Sequence, residues 1–163
     1  MAAGPLAFSL AIGLAVLVLA AAWCDTSARR VPNAICGLIL AGYPAIFATA
    51  AAPQPVWGGV GAGAAVFAVG IAVFAAGWLG GGDVKLLSAL ALWAGPAHLA
   101  GFLLITALAG GVLALAALVY ARLVAVVPAL AVGSRVTTQM TLPYGVAIAC
   151  GGIWVASTLI GAA

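Results

Sequence analysis

The run PLAFSLAIGLAVLVLAAAWC, from Pro5 to Cys24, contains no charged residue. Similar runs recur along the chain, each near the roughly 20 apolar residues a helix needs to cross a hydrocarbon core about 30 Å thick. Inside lipid every backbone N–H and C=O must find a partner within the protein, so only helices and closed barrels span a membrane. No stretch alternates with period two, which argues against a barrel. The sequence therefore predicts an all-α fold: a polytopic helical bundle in the membrane, with residues 1–163 as one domain.

Composition excludes the soluble classes. Charged residues make up 4% of the chain and the mean hydropathy is +1.37, whereas soluble domains carry about 25% charged residues. The cations Arg29, Arg30, Lys85, Arg122 and Arg135 are scattered and make no nucleic-acid footprint. Cys24, Cys36 and Cys150 form no CxxC pair and are expected as buried free thiols, with no zinc site and no disulfide framework. The N-terminal run lacks a basic leading region and reads as a retained first span.

Six helices are predicted, over 5–23, 33–51, 57–78, 83–95, 97–120 and 141–161. Arg29 and Arg30 fall between the first two, Lys85 at the third turn, and Arg122 and Arg135 between the last two. The intervening turns carry no Lys or Arg. The positive-inside rule then puts the charged loops in the cytoplasm and both termini outside. The fourth helix is short for a span, so it must tilt, sit recessed or begin inside the membrane; Gly80–Gly82 favour the last, as non-helical backbone lining a cavity.

Only two acids remain, Asp25 and Asp83, and both fall on the cytoplasmic side. Each has an ordinary structural explanation. Asp83 suits a helix N-cap, and Asp25 stands four residues before Arg29, at ion-pair spacing if the helix continues. Together they point to chemistry, because acids near bilayer depth are costly. Two adjacent carboxyls share a proton, so one acts as general base on a water while the other polarises a carbonyl. His98 falls on the opposite side, Cys24 has no histidine beside it, and Lys85 with Ser88 permits only a weak Ser–Lys alternative. An ion- or proton-coupled transporter, or an assembly factor, is the rival class; it needs the acids alone, and no internal repeat supports it.

Three segments carry a resemblance. Gly80-Gly81-Gly82-Asp83 fits the GxGD signature of intramembrane aspartyl proteases, and GGGDVKLLSALALWAG resembles the type IV prepilin peptidases within that group. DTSARRVPN resembles their first-aspartate segment, and LPYGVAIACGG, from Leu142 to Gly152, their last helix. The resemblance implies that Asp25 and Asp83 are the catalytic pair. It implies a prepilin or pseudopilin substrate with a short basic leader and a hydrophobic N-terminal helix, cut on the cytoplasmic face of the bacterial inner membrane. The small size points to the branch serving Tad/Flp-type pili. Larger members carry paired CxxC motifs in an insert after the first helix and also N-methylate the new terminus. This chain has a short turn there and no CxxC, so no zinc, S-adenosylmethionine or other cofactor is assigned.

Supporting roles are expected for Gly80, Gly81 and Gly82 as backbone against an extended peptide, and for Lys85 beside Asp83 or at the headgroups. Pro143, Tyr144 and Gly145 are expected as a second wall, with the Tyr144 hydroxyl near the site. Residues 122–140 form the longest loop, read as a lid or a linker. The cation pattern makes a direct prediction. A thiol introduced by Ser27→Cys is labelled by an impermeant maleimide only from the cytoplasm, and one introduced by Gln54→Cys only from outside; reversed labelling overturns the topology.

Overall fold

The computed structural model describes residues 4–48, 56–126 and 143–161. The described residues are helical almost throughout. The order is α1 (Pro5–Ala28), α2 (Asn33–Gly42) with a 3-10 continuation (Tyr43–Ala48), α3 (Val56–Ala75), α4 (Gly81–Val126) and α5 (Tyr144–Gly161). Four of these, α1, α3, α4 and α5, are long and apolar enough to cross a membrane.

Local chemistry explains where the helices differ from expectation. α1 does not stop at residue 23 but runs to Ala28, because nothing before Pro32 breaks it. It ends at Arg29, a left-handed residue (φ 51°) whose N–H bonds the Asp25 carbonyl at 3.0 Å. Asp25 therefore lies in the last turn of α1 rather than beyond it. α2 tightens to a 3-10 turn because Pro44 cannot donate an N–H, and the Tyr43 N–H bonds Leu40 instead. The predicted end of that helix, residues 49–51, lies outside the described residues. α3 closes at Ala75 with Gly77 left-handed (φ 77°): the Gly77 N–H bonds Phe74 at 2.9 Å and the Trp78 N–H bonds Val73 at 3.2 Å. Those paired bonds satisfy the last carbonyls of the helix.

α4 begins at Gly81, two residues earlier than predicted, and Gly81 and Gly82 are helical. The predicted non-helical glycine backbone is thus confined to Gly80, whose carbonyl accepts the Val84 N–H at 3.1 Å. Asp83 sits at the third helical position, not at the cap. Forty-six residues of straight helix would measure about 69 Å, but α4 is broken at Gly95 (φ 58°, ψ 179°) just before Pro96. Beyond the break the chain descends α5: Gly101 meets Trp154, Phe102 and Thr106 meet Gly151, and Gly110 meets Tyr144. The expected boundary between two helices at Gly95-Pro96 is this reversal. His98 lies near it, edge-on to Trp154 at 5.8 Å. Residues 122–126 are still helical, and 127–142 lie outside the described residues.

The packing runs through small residues. α1 buries Ala7, Ala11, Leu14, Val18, Ala21 and Asp25, a seam with alternating steps of four and three that keeps one face toward its neighbours. α3 faces α4 with Gly59, Gly63 and Gly70. A Cβ added at Gly63 would lie 3.0 Å from the Leu92 Cβ, and one at Gly70 2.7 Å from Val84 Cγ1; at Gly59 it would run into the Tyr43 hydroxyl. Lipid supplies no hydrophobic drive between helices, so such close approach carries the association. The outer surface is greasy, with Phe8, Val16, Leu19, Val69, Leu108 and Leu115 exposed. Trp23 and Trp78 are 74% and 82% exposed at the end of the bundle that holds the acids, and Trp57 is 81% exposed at the other, positions suited to the two interfaces. Cys36 alone among the thiols is buried; Cys24 is half-buried and Cys150 exposed, so burial of all three is not found.

Gly152 ties three helices together, since a Cβ there would sit 3.0 Å from both Leu90 of α4 and Val18 of α1. Gly152→Leu is expected to cost about 1–3 kcal/mol and to lower the melting temperature in detergent. Gly61→Leu, where an added Cβ meets nothing within 4 Å, leaves it unchanged. Equal melting of the two variants would show that the seam is not tightly packed.

Candidate active site

Helix geometry brings the two acids to one level. Asp25 lies seven residues beyond Val18, and Asp83 seven before Leu90, while Val18 and Leu90 meet at Gly152. Gly145, which touches Asp25, lies seven residues before Gly152. Seven residues are two turns, or about 10 Å, so three helices measured from one contact place Asp25, Asp83 and Gly145 at the same height.

There both carboxyls line a cavity of about 290 Å³, together with Arg29, Arg30, Val31, Asn33 and residues 80–82. Asp25 is 8% exposed. The Gly145 N–H donates to its Oδ2 at 2.8 Å, and a Cβ at residue 145 would lie 2.8 Å from the Asp25 Cβ. Only glycine lets the α5 backbone come this close. It also puts the first turn of α5, with its unpaired N–H groups and positive dipole end, against a carboxylate.

Asp83 is half-buried, and its carboxylate folds back to take a backbone hydrogen bond at Gly80. This is the geometry of an acidic residue capping its own helix from the third position. The three glycines in front of it make room on three sides. An added Cβ would lie 2.8 Å from Asp83 Oδ2 at Gly80, 3.4 Å from the Phe74 ring at Gly81 and 3.3 Å from the Val31 Cβ at Gly82. Each of the three therefore stands where a side chain would press on a neighbour, the Asp83 carboxyl itself at Gly80 and the flanking Phe74 and Val31 at Gly81 and Gly82.

The other predicted residues divide. Lys85 is exposed and donates from Nζ to Asn33 Oδ1 at 3.0 Å. Ser88 donates to the Val84 carbonyl at 2.7 Å, so its hydroxyl is engaged with the backbone. Pro143 caps α5, its carbonyl accepting the Val146 N–H at 3.2 Å. Tyr144 packs its ring on Gly110 of α4 and is not among the residues lining the cavity. Sequence reasoning missed Asn33, Val31 and the two arginines as cavity wall. The segment RRVPN holds that signal: it directly follows α1, the helix that carries Asp25. Among the described residues no three His, Cys, Asp or Glu side chains gather as a metal site requires.

Two carboxyls thus line one small cavity at the end of an otherwise apolar bundle, an arrangement whose chemistry, if the two act together, is general acid–base catalysis. A family model described as the type IV leader peptidase family matches residues 12–115, which include both aspartates and end before α5. Comparison with curated proteins and with solved structures finds no match. With well over half of its length matched, the chain belongs to the type IV leader peptidase family.

Proposed function

We propose that the protein is a membrane-embedded aspartyl endopeptidase that removes the short basic leader from type IV prepilins of the Tad/Flp type, with Asp25 and Asp83 as its catalytic pair. The observation that carries this reading is the cavity shared by the only two acids of the chain. Family membership supports a leader peptidase, and the apolar helices support an integral membrane protein. In the proposed topology α2 with its 3-10 continuation and both arms of α4 also cross, giving six spans with both termini outside and the acids at the cytoplasmic face of the inner membrane.

The mechanism follows from the pair. One ionised carboxylate takes a proton from a water in the cavity. The water oxygen attacks the scissile carbonyl, whose oxygen is protonated by the other carboxyl. The resulting gem-diol collapses: one of its hydroxyls returns a proton to the ionised carboxylate, the leaving amine takes the proton held by the other carboxyl, and the C–N bond breaks. The pair ends as it began, with one proton between its two carboxyls. The N-terminal turns of α4 and α5 stabilise negative charge in the cavity. Arg29 and Arg30 lie on its wall.

Two outcomes are expected. Asp25→Asn and Asp83→Asn each reduce cleavage of a prepilin by on the order of 10³-fold or more, with the melting temperature in detergent retained, as measured by immunoblot for loss of the leader. Near wild-type cleavage by either variant sinks the aspartyl mechanism. Gly82→Val pushes on Val31 and so on the cavity wall, and lowers the cleavage rate while the protein stays folded. Full activity in that variant would show that the Gly82–Val31 contact has no part in shaping the site.

A further inference from the structure

A second cavity adjoins the first. It is an apolar groove of about 520 Å³ between α2, α3 and α4, and it belongs to none of the groups described above. Each helix contributes a wall of the same length: Asn33 to Leu40, Val60 to Phe67, and Lys85 to Leu92. Each wall is eight residues long, seven steps or two turns, about 10 Å along the helix. Asn33 lines both cavities, and Lys85, bonded to it, stands at the shared mouth. Asn33 and Lys85 begin the groove two residues from Asp83, and Leu40, Val60 and Leu92 close it deeper among the apolar helices. Its floor is kept low by Gly37, Gly63 and Ala89, so a large rounded object can sit close to the backbones.

We propose that this groove seats the first two turns of the substrate's apolar helix, immediately after the cleaved bond. The inference rests on the peptidase reading and adds the place where the uncut part of the substrate is held. Three features select a helix of that length. The groove starts beside the carboxyl cavity, with Asn33 as a wall common to both. Its length matches two helical turns. Its polar mouth suits the point where extended peptide gives way to helix: the Asn33 amide oxygen can accept an unpaired N–H of the first turn, and the Lys85 ammonium can donate to a carbonyl of the extended segment. Seating the helix there fixes the scissile bond at the height of the acids, which is the positioning a peptidase needs.

The experiment separates docking from cleavage. Photoreactive benzoylphenylalanine replaces Phe67 on the groove wall or Leu115 on the outer surface of α4, 44% and 61% exposed respectively. Both are made in Asp83→Asn protein reconstituted with a prepilin precursor in phosphatidylethanolamine–phosphatidylglycerol vesicles. Adducts to the precursor helix from position 67 and not from 115 are expected. Adducts to lipid alone at position 67, or equal precursor adducts from both, overturn the proposal. In active protein Gly37→Trp, at a position where an added Cβ meets nothing within 4 Å, fills the groove. It raises KM for the anchored precursor by about tenfold and leaves unchanged the cleavage of a short peptide that spans the cut but lacks the helix. An unchanged KM for the precursor overturns the proposal as well. Failure of the wild-type protein to cleave the precursor counts against the peptidase reading, while the position of the adducts still decides the docking.

Discussion

The contact on which the site depends is the approach of α5 to α1 at Gly145. A backbone N–H at 2.8 Å from Asp25 Oδ2 gives a mostly buried carboxyl one of the partners it needs in a medium that offers few. It also fixes the rotation of α1. Once Asp25 faces α5, the seam from Ala7 to Ala21 follows on the same face, and Val18 meets Gly152 two turns away. Leu90 meets Gly152 from the other side, which brings Asp83 to the level of Asp25. A polar bond and a glycine thus set the register of three helices that apolar packing alone would leave free to slide.

The glycines divide into two kinds of work. Gly77 and Gly95 have positive φ and turn the chain. Gly80, Gly82, Gly145 and Gly152 have ordinary helical or extended backbone, and what they supply is the missing side chain. Around the acids this distinction matters. The carboxyls are crowded by backbone and by small apolar groups, and their remaining open side is the cavity with its arginines. The family match covers α1 through most of α4 and stops before α5. The partner that grips Asp25 therefore lies outside the matched segment.

Much of this was legible in the sequence because the physics involved is one-dimensional. Long uncharged runs mean helices in lipid, Gly95-Pro96 ends one, and two surviving acids in a bundle are conspicuous. The level shared by Asp25 and Asp83 could be expected from charge placement, although the contact that enforces it could not. What failed were arguments about local backbone. GGG suggested irregular chain, but two of the three glycines are helical, because the tight neighbours Phe74 and Val31 reward a helix with no side chains there. Tyr144 looked like a hydroxyl for the site, yet one face of α5 packs on α4, and the ring went to Gly110. Asn33 was hidden in a motif read for its likeness; its role as a wall common to two cavities depends on how α2 and α4 cross, which no spacing encodes.

The exposed tryptophans have a consequence for supply. Trp23 is two residues from Asp25, and Trp78 five from Asp83, so in the proposed topology the indole rings, which favour the headgroup layer, keep the carboxyl cavity beside it. Water and protons then reach the acids from the adjoining aqueous phase with no conduit through the bundle. The same anchoring makes the depth of the site insensitive to bilayer thickness. In a thinner or thicker membrane the mismatch is taken up at the far end, around Trp57, where there is no chemistry to disturb.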